Sequence, residues 1–194
     1  TGQFLSSWMF TLPHTPQPIL SAAIGLALWT AARSSFPALP WSLKAPNDLY
    51  LGENKVAGIL LETFNQPNLK KQDNRDWSAL IIGLGMNFYC KPKEMNTATT
   101  VLEHWKKFSP SPLDEKHFSI FLDHLYLELR LALNLTFHQS AMNNFEPVLF
   151  LQDYQCKNLK FALNLFPHLQ EPYLKILPNG DLQTKHKHIS WSEL

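Results

Sequence analysis

Acidic residues are missing from the first quarter of the chain. No Asp or Glu occurs between Thr1 and Asn47, and Arg33 and Lys44 are the only arginine and lysine there. Of all 194 residues only 17% are charged, and 17 Lys and Arg against 16 Asp and Glu give a net charge of +1. A net charge so close to zero argues against a protein that neutralises the phosphates of a nucleic acid. With 45% hydrophobic residues, the composition predicts a folded domain rather than a disordered chain.

Long apolar runs and cysteines are also scarce. The longest mostly apolar run, residues 19–32, is shorter than the ~18–20 residues that a membrane-spanning helix needs, so we expect a buried helix and no membrane association. The two cysteines, Cys90 and Cys156, cannot form a disulfide framework. We expect reduced thiols in a core, with a disulfide as the alternative, and a cytoplasmic protein.

Hydrophobic periodicity predicts helices and strands before residue 146. Helical spacing of apolar residues covers 19–36 and again runs from Ser111 to about Phe137, where Ser111 would cap the helix and Pro112 would occupy its first position. Residues 65–75 are polar and predict a loop. Strands are expected at residues 3–12, 41–45, 49–51, 55–64 and 79–88.

The chain changes character after Glu146. Short β-type segments at residues 148–152, 159–165, 173–176, 180–184 and 189–191 alternate with turns, and Pro178-Asn179-Gly180-Asp181 is typical of a tight turn. We therefore predict an α+β fold. Residues 1–145 would form a mixed β-sheet with helices on one side, and residues 146–194 a small β module.

Three short segments combine lysine, glycine, asparagine and aspartate with apolar strand residues. They are Lys44-Ala45-Pro46-Asn47-Asp48, then Lys55-Val56-Ala57-Gly58-Ile59-Leu60-Leu61-Glu62, and then Ile82-Gly83-Leu84-Gly85-Met86-Asn87. No P-loop, GxSxG elbow or paired cysteine cluster accompanies them.

Each of these residues has a plain structural interpretation beside a functional one. Lys55 could hold its ammonium over a pocket or be a solvated strand end, and Gly58 could mark a ligand or a bulge. Gly83 and Gly85, which cost a strand roughly 0.5–1 kcal/mol each, suit either a pocket floor or tight packing. Asn87 offers a donor and an acceptor to a ligand, but is also a common turn residue.

The ordered trio of segments resembles the catalytic core of the biotin protein ligases. That family carries a Lys-Trp-Pro-Asn-Asp stretch, a Lys-x-x-Gly-Ile-Leu-x-Glu strand and a Gly-x-Gly-x-Asn strand. The resemblance implies a ligase that uses ATP, Mg²⁺ and biotin, forms biotinyl-AMP, and transfers biotin to a lysine of a biotin carboxyl carrier protein or domain. It also implies a biotin/lipoate ligase-like sheet, a small SH3-like C-terminal domain and possible homodimers.

The resemblance further assigns roles to individual residues. The family lysine at the position of Lys55 contacts the reacting carboxylate and phosphate, so Lys55 is the expected catalytic residue. The expected substrate- and nucleotide-binding residues are Lys44, Asn47, Asp48, Gly58, Gly83, Gly85 and Asn87, with Asn87 at the adenine and Asn47 and Asp48 near the phosphates or metal. No metal-ligating residues are assigned.

Two departures keep other functions open. Ala45 stands where the family has tryptophan, and the family's Ser/Thr-Asn segment and Gly-Arg-Gly loop are not in this sequence. We therefore expect a catalytic domain without its N-terminal part. The alternatives are a lipoate ligase-type enzyme, or a catalytically impaired relative that acts as a biotin- or nucleotide-binding or interaction module.

Overall fold

The computed structural model describes residues 2–12, 16, 19–44, 47–65, 78–138, 173–176, 182–184, 186 and 188–189. In chain order its elements are β1 (Gln3–Leu12), α1 (Ile19–Ser35), β2 (Trp41–Lys44), β3 (Asp48–Leu51), β4 (Asn54–Asn65), β5 (Ser78–Asn87), α2 (Val101–Phe108), α3 (Glu115–His138), β6 (Tyr173–Ile176), β7 (Leu182–Thr184) and β8 (His188–Ile189).

The first five strands form one sheet in the order β1-β5-β4-β3-β2. Its four strand pairings are antiparallel. Within the described residues, the parallel component is limited to one isolated bridge between Lys55 and Ala98. The structure confirms the predicted α+β class.

The helices and one face of the sheet enclose the core. Along β5 the buried side chains Leu80, Ile82, Leu84 and Met86 alternate with less buried neighbours, as expected for a strand with one covered face. These side chains join one apolar cluster with residues of α1 and α3. The opposite face of the same sheet remains for other contacts.

A helix that the periodicity did not predict, α2, follows the sheet. Thr100 caps it: the Glu103 amide donates to Thr100 Oγ1 (3.0 Å), and the Thr100 amide donates to Glu103 Oε2 (3.1 Å). This reciprocal capping box satisfies two backbone donors at the helix start. The Thr-x-x-Glu spacing was therefore the signal in the sequence that could have revealed α2.

The predicted start of the last helix at Ser111 was wrong. Helix α3 begins at Glu115, and Asp114 caps it by accepting from the His117 amide (3.1 Å). The backbone carbonyl of Ser111 instead accepts a hydrogen bond from the Trp105 indole (2.7 Å), which holds the connection between α2 and α3.

The C-terminal strands form a separate three-stranded sheet in the order β6-β7-β8, with antiparallel pairings. The other two predicted strands, residues 148–152 and 159–165, and the domain boundary near residue 146 lie outside the described residues. The SH3-like comparison therefore stays a prediction.

The exposure of Cys90 and the length and hydropathy of the helices bear on two expectations from the sequence. Cys90 is exposed, so the expectation of a core thiol was wrong for this residue, while Cys156 lies outside the described residues. Among the helices described, none is both long and apolar enough to cross a membrane.

Candidate functional site

The sheet face opposite the helices carries a cleft whose floor lacks side chains. Across the strands, Gly85 of β5 pairs with Leu5 of β1 and with Gly58 of β4. In the next row along the sheet, Gly83 lies between Ser7 and Leu60. Because the three glycines have no side chains, the sheet backbone itself forms the bottom of the cleft.

The cleft has a volume of about 580 Å³, within the range of about 300–1,000 Å³ typical of small-molecule sites. Its lining combines residues from the three motif segments with residues of β1. They are Leu5, Ser6, Ser7, Asn47, Asp48, Lys55, Gly58, Ile59, Leu60, Gly83, Leu84 and Gly85. The structure thus brings together six predicted site residues that are separated in the sequence.

A β-bulge brings Lys55 to this face. Leu49 pairs with Ala57 but Tyr50 pairs with Lys55, so Val56 is an extra residue in the β3–β4 ladder. If residues 55–59 alternated as in a regular strand, Lys55 would lie on the core face with Ala57 and Ile59, which are both buried. Bulges commonly redirect a side chain in this way.

Lys55 forms an ion pair with Asp48 above Gly58. Lys55 Nζ lies 2.6 Å from Asp48 Oδ1, and the two side chains are 36% and 19% exposed. A Cβ atom at Gly58 would lie 3.2 Å from Asp48 Oδ1 and 3.3 Å from Lys55 Nζ. The absence of a side chain at Gly58 therefore makes room for this ion pair.

Asn47 ties the start of β3 to β4. Its Nδ2 donates to the Ile59 carbonyl (2.9 Å), and the Ile59 amide donates to the Asn47 carbonyl (3.0 Å). Because both bonds fix the residue next to Asp48, Asn47 positions the carboxylate that holds Lys55.

Packing does not require the other two glycines of the floor. A Cβ at Gly83 would come no closer than 3.6 Å to Leu60, and one at Gly85 no closer than 3.5 Å to Leu5. These are ordinary van der Waals distances, so the neighbours would tolerate alanine. Of the two interpretations that the sequence left open, the geometry favours the open floor.

Two predicted residues lie outside the lining of the cleft. Lys44 ends β2 opposite Asp48. Asn87 ends β5, where its Oδ1 accepts a hydrogen bond from Gln3 Nε2 (3.0 Å). Conversely, the motifs missed Leu5 and Ser7, although the alternation of β1 places both on the same face as the cleft.

The described residues contain no group of three or more His, Cys, Asp or Glu side chains that could hold a metal ion. Asp48 is the carboxylate that lines the cleft. Its negative charge also contributes to a raised pKa for the Tyr50 phenol, although burial of the ring is the larger cause.

No protein-family model matches the chain. Solved structures resemble it over nearly its whole length. A mutant biotin protein ligase from Aquifex aeolicus in complex with biotin has a TM-score of 0.61 at 21% identity, covering 97% of this chain and 75% of that one. The Aquifex aeolicus ligase in complex with biotin and ATP has a TM-score of 0.57 at 20% identity, with coverages of 97% and 75%.

A biotin protein ligase from a second organism also has a similar structure. The biotin protein ligase from Leishmania major in complex with biotin has a TM-score of 0.53 at 18% identity, covering 95% of this chain and 77% of that one. At such identities the similarity concerns architecture. The chain has the fold of the biotin protein ligases.

Proposed function

We propose that the chain is a biotin protein ligase-like enzyme that activates biotin with ATP and passes it to a lysine of a biotin carboxyl carrier domain in the cytoplasm. The observation that carries the proposal is the Lys55 ammonium, held 2.6 Å from Asp48 in a glycine-floored cleft. The shared fold supports it, because solved proteins of this fold contain biotin and ATP.

The first step brings two anions together. A carboxylate oxygen of biotin attacks the α-phosphorus of ATP, the bond from that phosphorus to the bridging oxygen breaks, and pyrophosphate leaves with the electron pair. Lys55 supplies a fixed positive charge beside the developing charge, and such preorganised groups often contribute the largest part of catalysis. The glycine floor lets the flat part of a ligand lie against the backbone of β4 and β5.

Asp48 would have two functions in this step. In the free protein its carboxylate holds the Lys55 ammonium over Gly58. Mg²⁺ is commonly bound by one or two carboxylates together with substrate phosphates, and Asp48 is the carboxylate available in the cleft. The ion would supply further positive charge to the phosphates.

The second step releases AMP. The neutral amine of the acceptor lysine attacks the acyl carbon of biotinyl-AMP, an amide bond forms, the bond from that carbon to the phosphate oxygen breaks, and the amine loses a proton. Leu5 and Leu60, which line the cleft, are 76% and 62% exposed among the described residues, and this exposure supports approach of the acceptor from this face.

Biotin-dependent exchange of labelled pyrophosphate into ATP tests the first step. We expect Lys55→Met to lower the exchange rate by about 10²–10³-fold, the usual cost of removing one charge-stabilising group. Lys106→Met, which changes an exposed lysine of α2, is the matched control and should exchange at the normal rate.

Thermal shift and calorimetry separate the alternatives. Stabilisation by lipoate but not by biotin would replace the proposal with a lipoate ligase-type enzyme. Binding of biotin or biotinyl-AMP without exchange would leave a binding module. Binding of neither would contradict the proposal altogether.

A further inference from the structure

Residues 97–99 hold the backbone of Lys55 along the edge of β4 that faces away from β3. The Lys55 amide donates to the Thr97 carbonyl (3.1 Å), and the Thr99 amide donates to the Lys55 carbonyl (2.9 Å). These two hydrogen bonds form the isolated parallel bridge between Lys55 and Ala98. Strand β5 pairs with β4 from Ala57 onward, so residues 97–99 take its place beside Lys55.

Two side chains fix this segment in turn. Lys91 Nζ donates to the Ala98 carbonyl (2.6 Å), and Thr99 Oγ1 donates to Glu103 Oε2 (2.8 Å). Ala98 and Thr99 are 2% and 5% exposed, so water has little access to the backbone between the two anchors. Glu103 is itself held by the capping box of α2.

Charge strengthens both anchors. The hydrogen bond from Thr99 is the largest cause of the lowered pKa of Glu103, and the nearby Lys91 ammonium lowers it further. Glu103 therefore stays ionised to lower pH than an ordinary glutamate does, and hydrogen bonds to charged groups are shorter and stronger than neutral ones. Lys91 and Glu103 thus hold residues 97–99 from two sides.

We propose that Lys91 is a positioning residue for Lys55, acting through the backbone of residues 97–99. The inference rests on the proposed function for its kinetic consequence, but not for its structural one. The bulge at Val56 sets the face on which Lys55 lies, and the bonds to Thr97 and Thr99 set where its Cα sits on that face. A misplacement of about 1 Å can cost about 10²-fold in rate.

Amide hydrogen exchange tests the structural part in the unliganded protein. In Lys91→Met, which keeps the aliphatic stem, the amides of Lys55 and Thr99 should exchange about tenfold faster, as expected for loss of a charged hydrogen bond. The amide of Ile59, bonded to Asn47, should be unchanged. Lys93→Met is the matched control, because Lys93 is an exposed lysine of the same loop.

Pyrophosphate exchange tests the kinetic part. Lys91→Met should lower kcat about tenfold at constant KM for biotin, because orientation of Lys55 matters more in the transition state than in the bound substrate. Lys91→Arg, which keeps a donor, should restore most of the rate. Lys93→Met should retain normal kinetics.

The two measurements keep the proposals distinguishable. If the unmodified protein shows no exchange activity, the proposed function fails and amide exchange alone decides the role of Lys91. Should Lys91→Met fail to fold, Lys91→Gln provides the second variant, since its shorter uncharged side chain removes the ammonium that donates to the Ala98 carbonyl. Unaltered amide exchange at Lys55 in either folded variant would overturn the inference.

Discussion

Lys55 Nζ lies 2.6 Å from Asp48 Oδ1 on the same face of the sheet. Asp48 pairs with Gly58 of β4, and strict alternation along β4 would put Lys55 on the face opposite to that of Gly58 and Asp48. The extra residue Val56 reconciles the two facts by shifting the register between Tyr50 and Lys55. The ion pair between Lys55 and Asp48 therefore depends on one bulge. A small substitution beside the pair, as at Gly58, should disturb its geometry.

Gly58→Ala should disturb the ion pair without unfolding the protein. The added methyl would lie 3.2 Å from Asp48 Oδ1 and 3.3 Å from Lys55 Nζ, so one of the two side chains must move. We expect biotin to bind about tenfold more weakly by calorimetry, which corresponds to ~1.4 kcal/mol. Gly83→Ala adds a methyl to the same face without touching the pair, so equal losses in both variants would assign the effect to the floor instead.

Gly52→Ala should destabilise the turn between β3 and β4. Gly52 has φ +61°, and its Cβ would meet only His104 Cε1 at 3.9 Å, so the cost comes from the backbone rather than from crowding. We expect a loss of about 1–2 kcal/mol in urea unfolding. Gly52→Asn should lose less, because asparagine tolerates this conformation better than alanine does. Equal stability of the alanine variant and the unmodified protein would exclude strain at this turn.

Asp114→Ala should lower the melting temperature, whereas Ser111→Ala should leave it nearly unchanged. Asp114 Oδ1 accepts the His117 amide at the start of α3, while the exposed hydroxyl of Ser111 lies 3.0 Å from Ser109 Oγ and the Ser111 carbonyl survives the substitution. Calorimetric scans of the two variants decide between the caps. A larger shift for Ser111→Ala would restore the cap that periodicity predicted.

Stability should depend on pH through Glu103. Its pKa is lowered in the folded protein, mainly by the hydrogen bond from Thr99, so the folded state binds a proton less readily than the unfolded state. The stabilisation is therefore complete above the ordinary carboxyl pKa and is lost as the pH falls through the lowered value. Urea unfolding of the unmodified protein and of Glu103→Gln at several pH values measures it. The difference in unfolding free energy should shrink in acid, and a constant difference would contradict the assignment.

The positions of β1, β5 and α1 were largely predictable from the pattern of apolar residues. The alternation of β1 and β5 arises because each has one covered face, whereas α1 is buried without a break from residue 24 to residue 29, and the predicted segments agree with the structure within a residue or two. Helix α2 was missed because it is short and rich in charged residues, so its apolar periodicity is brief. The Thr100–Glu103 capping-box spacing is the sequence pattern that indicates the start of α2.

The candidate site could be predicted only in part. The three motif segments contain Asn47, Asp48, Lys55, Gly58, Gly83 and Gly85, which line the cleft. They do not contain Ser7 or Leu5, because these residues reach the cleft only through the pairing of β1 with β5. The support of Lys55 by residues 97–99 was equally invisible, since it joins positions distant in the chain.

The sequence by itself determined which segments become strands and helices, and which lysine, aspartate and glycines are candidates for a site. Those properties follow from local periodicity and from the chemistry of each side chain. The tertiary structure decided on which face Lys55 lies, through the bulge at Val56, and what holds it there, through Asp48 and residues 97–99. The physical reason is that register and cross-strand contact are properties of paired strands, and a single strand does not encode its partner's alignment.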